Sequence, residues 1–253
     1  MTNVCTDLFD LADEISVQPL QQLRHRSVLL QRDVVCLFHV QRSSDLLKSI
    51  VMLCRGNHQI DAKILLRSFL NLYINLAWIV NEDEDARFTR YADHEPVFKK
   101  QIYDSTMPYI RANSDHDLAR QEQAVRAANA LKKYWGYDAD KRVKSWTNKT
   151  LAAMAEDLEL RWEYNVLYRY LSEIEHAGAS AVCEYELDIG REASLIPIVK
   201  DTEFVMVMAI DLYLDTKAIA CSRLGCLITD ISYAKIDLQR LKEKYEIDKM
   251  LWE

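Results

Sequence analysis

Residues that break helices are scarce in this chain: 5 glycines and 4 prolines among 253 residues. That leaves little material for the tight turns of an all-β fold and much room for long helices. The six cysteines (Cys5, Cys36, Cys54, Cys183, Cys221, Cys226) form no C-x-x-C pair. Most sit in apolar helical context, which predicts reduced thiols rather than a disulfide frame. There is no G-x-x-x-x-G-K-[ST] or G-x-G-x-x-G loop to cradle phosphates, and no G-x-S-x-G elbow to carry a serine nucleophile. His25, His39, His58, His94 and His116 show neither H-x-x-x-H nor H-E-x-x-H spacing, so no metal site and no cofactor is expected. Two further features are missing from the charge pattern. The net charge is -7 with no block of lysine and arginine, so no DNA footprint is visible. The N-terminus has no basic region leading into an apolar core, and the most apolar stretches, 64–80 and 204–214, are too short or too interrupted to span a bilayer. A cytoplasmic protein without membrane contact is the expectation.

What is present is helical pattern and enough apolar residues, 49%, for a sizeable core. Helices are predicted at 4–15, about 19–54 (stopped by Arg55-Gly56-Asn57), 60–80, 86–91, 96–110 with a break near Met107-Pro108, and from Ser114 or Asp115 through Trp135. The acidic run 82–85 reads as a helix N-terminus. After a polar connection at 137–146, helices follow from Thr147 or Asn148 to Leu158, from Arg161 to Ala177, from 202 to 224 and from 228 to 245. Residues 182–188 and 194–199 are the strand candidates, joined as a short hairpin or an irregular excursion. The fold class is therefore all-α, a multi-helix bundle in one domain over 1–253. Residues 18–224 form its core, with 60–80 and 202–224 central, and 225–253 add an amphipathic C-terminal helix.

Two polar patterns stand out against this apolar ground. Lys63, Arg67, Asn71 and Asn75 recur at i+4 along the most apolar helix, where unpaired polar groups would cost roughly 1–3 kcal/mol each. Arg169, Ser172 and His176 lie within two turns of another helix and are predicted to share a face, with Glu173 beside them. The two polar faces are predicted to meet in one site, with Arg87, Arg90 and Tyr91 at its rim. An imidazole that moves a proton and a guanidinium that holds a phosphate suit metal-independent RNA cleavage. His176 would take the proton of a ribose 2′-hydroxyl, Arg169 would hold the phosphate, and Ser172 or Asn71 would orient groups. The plain alternative is a buried network in which Arg169 pairs with Glu173 and His176 bonds a backbone carbonyl. Trp78, Trp135, Trp146, Trp162, Tyr164 and Tyr168 fall at helical spacing and read as core rather than as a base-stacking platform.

The Arg169-x6-His176 arrangement near a helix end resembles the R-x(4–6)-H signature of the HEPN superfamily. That resemblance implies a homodimer with the two Arg/His pairs near a shared cleft, and a role in toxin–antitoxin or anti-phage defence. The segments Leu65-Leu66-Arg67-Ser68-Phe69-Leu70-Asn71-Leu72-Tyr73 and Tyr168-Arg169-Tyr170-Leu171-Ser172 through His176 are also similar to an uncharacterised bacterial all-helical family over about residues 25–220. The expected function is a HEPN-like endoribonuclease, or a degenerate relative, acting on RNA. Arg169 and His176 are its catalytic candidates, with Arg67, Asn71, Asn75, Ser172 and Glu173 in support. Two alternatives stand beside it. One is a non-catalytic interaction or regulatory module that binds a partner protein from its operon. The other is a small-molecule or nucleotide sensor with Arg67 and Arg169 as anion clamps.

Overall fold

The most apolar helix of the chain lies at the centre of the structure. The computed structural model describes residues 3–16, 30–81, 86–106, 117–136, 145–188, 194–197 and 201–247. Its helices are α1 (Asn3–Ser16), α2 (Gln31–Arg55), α3 (Gln59–Val80), α4 (Ala86–Thr106), α5 (Asp117–Trp135), α6 (Leu151–Asp157), α7 (Arg169–Glu175), α8 (Thr202–Leu224) and α9 (Thr229–Lys244). The protein is an all-α bundle, as its pattern predicts. α2, α3 and α8 pack on one another and bury Leu47, Ile50, Leu66, Phe69, Leu70, Ile74, Val205 and Ile210 at their junction. Each such side chain contributes about 1.5–3 kcal/mol on leaving water. By length and composition alone α3 is apolar enough to cross a membrane, unlike the shorter stretch read from the sequence; here it packs against α2, α7 and α8. Of the cysteines, all free, Cys5, Cys36, Cys54 and Cys221 are buried and Cys183 is exposed.

Several element boundaries differ from the sequence reading. Residues 86–106 form one helix rather than two, continuing through Pro96. Proline removes a donor there, and packing of Val97 against Ala127, Ala130 and Leu131 of α5 holds the helix together. α6 starts later than predicted, because Thr150 is the N-cap and its hydroxyl accepts from Ala153 N at 3.2 Å. The predicted helix 161–177 contains a π-helical turn, Glu163–Tyr168, before α7. The Arg169 N–H reaches back to Tyr164 O, five residues earlier. Residues Ala179–Glu184 form a 3₁₀ turn where a strand is predicted. Strands β1 (Tyr185–Asp188) and β2 (Ser194–Pro197) then pair antiparallel, with Tyr185 opposite Pro197 and Asp188 opposite Ser194. The start of the predicted 19–54 helix, the acidic run 82–85, the Met107-Pro108 break, the 114–115 cap and most of the 137–146 connection lie outside the described residues.

Candidate functional site

The polar stripe of α3 meets α7, and it divides among three sets of partners. Lys63 is fully buried, at 0% exposure. Its Nζ donates to Glu184 Oε2 at 2.7 Å, Asp201 Oδ2 at 2.9 Å and the Tyr170 hydroxyl at 3.1 Å. Tyr170 in turn donates to Glu184 Oε1 at 2.8 Å. Burial works against the charged form of Lys63, and the Glu184, Asp201 and Tyr170 partners together outweigh it, so the amine is held above the ordinary lysine range. Glu184 immediately precedes β1 and Asp201 immediately precedes α8, so one ammonium ties both stems of the β excursion to the central helix. Asp201 adopts a left-handed φ of 63° and makes no side-chain cap for α8; its carboxylate is turned to Lys63 instead.

One turn further along, Arg67 uses every nitrogen of its guanidinium. Nε donates to Ser172 Oγ at 3.1 Å and one terminal nitrogen to the Tyr168 hydroxyl at 3.0 Å. The other terminal nitrogen pairs with the Glu175 carboxylate. The guanidinium carbon also lies 4.7 Å from the Tyr168 ring centroid, a cation–π geometry. Asn71 and Asn75 bond each other, Asn75 Nδ2 donating to Asn71 Oδ1 at 2.7 Å, and Trp146 Nε1 donates to Asn75 Oδ1 at 2.8 Å. These two asparagines belong to the α3–Trp146 contact, not to the Arg67 cluster.

The face assignment of α7 needs correction at one residue. Leu167, Leu171 and Ile174 point into the core, and Tyr168, Ser172 and Glu175 face Arg67. Arg169, Glu173 and His176 fall on the remaining strip and are exposed. Ser172 therefore turns away from the Arg169/His176 strip, lying about 60° and 40° round the helix from those two residues, and serves Arg67. Among the described residues Arg169 makes no hydrogen bond or ion pair, including none to Glu173. The His176 side chain is 70% exposed, and its Nε2 lies 3.6 Å from Glu175 Oε2, the carboxylate that Arg67 holds. The Glu173 backbone carbonyl accepts from Gly178 N at 2.7 Å, and Ala177 N donates to Ile174 O at 3.2 Å. This is a Schellman stop in which Ala177, at φ 49°, takes the left-handed position usual for glycine.

The proposed rim lies elsewhere. Arg87 stacks on Trp78 at 3.6 Å and Tyr91 packs against His39 and Trp146, near the far end of α3, while Arg90 lies over Tyr134 of α5. Reading the sequence for chemistry missed Tyr168, Glu175, Tyr170, Glu184 and Asp201. The spacing of Tyr168, Ser172 and Glu175 is a helical stripe and was legible. The partners of Lys63 lie 107 to 138 residues away along the chain and carry no local signal. Among the described residues no group of three or more His, Cys, Asp or Glu side chains is placed to hold a metal ion.

Fold and cluster define an all-helical protein with a polar seam between its central helix and a short helix next to it. The chain belongs to a family of unknown function (DUF5677), whose model matches residues 33–188. The match runs from α2 to β1 and includes both partners of every contact made by Arg67. No curated protein and no solved structure matches the chain.

Proposed function

We propose that this protein is a metal-independent endoribonuclease of the HEPN type, or a degenerate relative of one, working in the cytoplasm as an effector of a bacterial toxin–antitoxin or anti-phage system. The observation that carries this reading is the strip on α7. An imidazole open to solvent stands beside a carboxylate anchored by Arg67, and a guanidinium with no partner among the described residues lies two turns away, about 10 Å along the axis. Side chains of that length are long enough to reach one phosphate group placed between them. His176 accepts the proton of a ribose 2′-hydroxyl, and the freed oxygen attacks the adjacent phosphorus. Arg169 neutralises the charge that builds on the phosphate oxygens. The P–O5′ bond breaks, the leaving oxygen takes up a proton, and a 2′,3′-cyclic phosphate remains. Glu175 orients the imidazole. A second copy of the chain, bringing its own strip, would complete the cleft.

A second reading, a non-catalytic interaction module, is supported by a different surface. Leu30, the N-cap of α2, and Val34 and Phe38 within it recur at i+4 and are 49%, 52% and 49% exposed, an apolar line that suits a partner helix. The test is RNA cleavage by wild type and His176→Ala in EDTA, with analysis of product ends. Cleavage to cyclic phosphate ends that disappears in His176→Ala at unchanged melting temperature establishes the nuclease. Absence of cleavage by the wild type refutes it and leaves the interaction module.

A further inference from the structure

Beside the Arg67 cluster is a cavity of about 460 Å³, lined by Thr150, Ala152, Ala153, Arg161, Tyr164 and Asn165, within the size range of small-ligand sites. It lies between α6 and the π-helical turn. Tyr164 is more than wall. Its ring stacks on Tyr168 with centroids 5.0 Å apart and planes 14° from parallel, and the Arg67 guanidinium lies over the same Tyr168. Arg67 and Tyr164 thus both pack on Tyr168, a chain of contacts that starts in the polar seam and reaches the cavity. An aromatic ring at the end of such a chain of contacts is held in place by its neighbour, which lowers the cost of ordering it for a ligand. Asn165 is exposed and lines the same space, with an amide donor and acceptor side by side. The Arg161–Glu156 pair, 3.1 Å apart, adds a cation and an acceptor on the wall.

We infer that this cavity is a nucleobase subsite, in which a base stacks on Tyr164 and its edge is read by Asn165. The inference rests on the ribonuclease reading for its preferred source of the base, an RNA strand. Tyr164 precedes Arg169 by five residues, no more than about 8 Å along the axis. A base next to a phosphate on Arg169 spans that axial distance and reaches Tyr164 by crossing from the exposed strip to the face that carries Tyr168. A free nucleotide presents the same base and is the other source.

The test uses the full chain carrying His176→Ala, which cannot turn over substrate. Binding of a fluorescein-labelled single-stranded RNA and of adenosine and uridine monophosphates is measured in EDTA. Stacking by one base predicts that adding Tyr164→Ala weakens binding about tenfold, while Tyr164→Trp retains it. Asn165→Ala, at an exposed position that cannot affect folding much, weakens binding too. RNA binding that depends on Tyr164 assigns the site to a strand; nucleotide binding with the same dependence and no RNA binding assigns it to a free nucleotide. Binding unchanged by both Tyr164→Ala and Asn165→Ala overturns the inference, as does no binding of either ligand. The two readings fail separately. Cleavage by the wild type that Tyr164→Ala leaves untouched removes the base site and spares the nuclease. Tyr164-dependent RNA binding without cleavage does the reverse.

Discussion

Replacing Lys63 by methionine keeps an unbranched side chain, one atom shorter, and removes its charge. The consequence falls on Glu184. That carboxylate is 4% exposed and receives one bond from Lys63 at 2.7 Å and one from Tyr170 at 2.8 Å. In Lys63→Met it keeps the tyrosine and loses the cation, and breaking a buried ion pair by removing one partner costs about 3–5 kcal/mol. Asp201 adds little, because its side chain is 40% exposed and regains water. Each kcal/mol moves the melting temperature of a chain this size by about 2–4 °C, so a fall of roughly 10 °C is expected. Glu184→Gln on the same background neutralises the stranded group and still accepts from Tyr170. The double variant should recover to within about 1–2 kcal/mol of wild type, because replacing both members of a buried pair is far milder than removing one. Urea unfolding followed by circular dichroism gives both numbers with a check on the slope. A cost below about 1 kcal/mol for Lys63→Met, or no recovery in the double variant, would refute the argument that Lys63 compensates a buried charge.

Two further outcomes follow from the same coordinates. His39 is fully buried against the rings of Phe38 and Tyr91, with Nδ1 2.8 Å from Val35 O and no hydrogen-bond partner for Nε2 among the described residues. Burial lowers its pKa from 6.5 to about 4, and the bond to Val35 opposes this only in part. The unfolded chain then binds the proton first as pH falls. The stability from neutral His39 is complete above pH 6.5 and is lost down to about pH 4, at about 1.4 kcal/mol per pH unit or roughly 3 kcal/mol in all. His39→Leu should flatten that part of the profile, and equal slopes for the two proteins in urea titrations between neutral and acid pH would reject the assignment. Ala177→Gly should stabilise the end of α7. Relief of the left-handed backbone at φ 49° gains about 1–2 kcal/mol, and the extra freedom of the unfolded glycine takes back about 0.4–1. A melting temperature below that of wild type would show that the turn is not strained.

The bundle was legible because its signals are local. Few glycines and prolines, apolar residues at helical spacing and Arg55-Gly56-Asn57 as a stop place α3, α8, α9 and the end of α2 within a few residues, whereas α2 starts at Gln31 and not near residue 19; the most apolar helices lie at the centre because most of their surface is apolar. The i+4 stripe Lys63-Arg67-Asn71-Asn75 announced that α3 carries a polar line needing partners. Which partners answer Lys63 and Arg67 is decided by chain contacts across more than 100 residues, and no periodicity encodes those. The π-helical turn at Glu163–Tyr168 is also invisible to a 3.6-residue template. Tertiary packing alone decides that Ser172 and Glu175 turn inward to a guanidinium, that Arg169 and His176 stay in solvent, and that α4 runs on through Pro96. Local spacing sets which residues lie on one helical stripe, whereas the direction that stripe faces depends on what the rest of the chain packs against it.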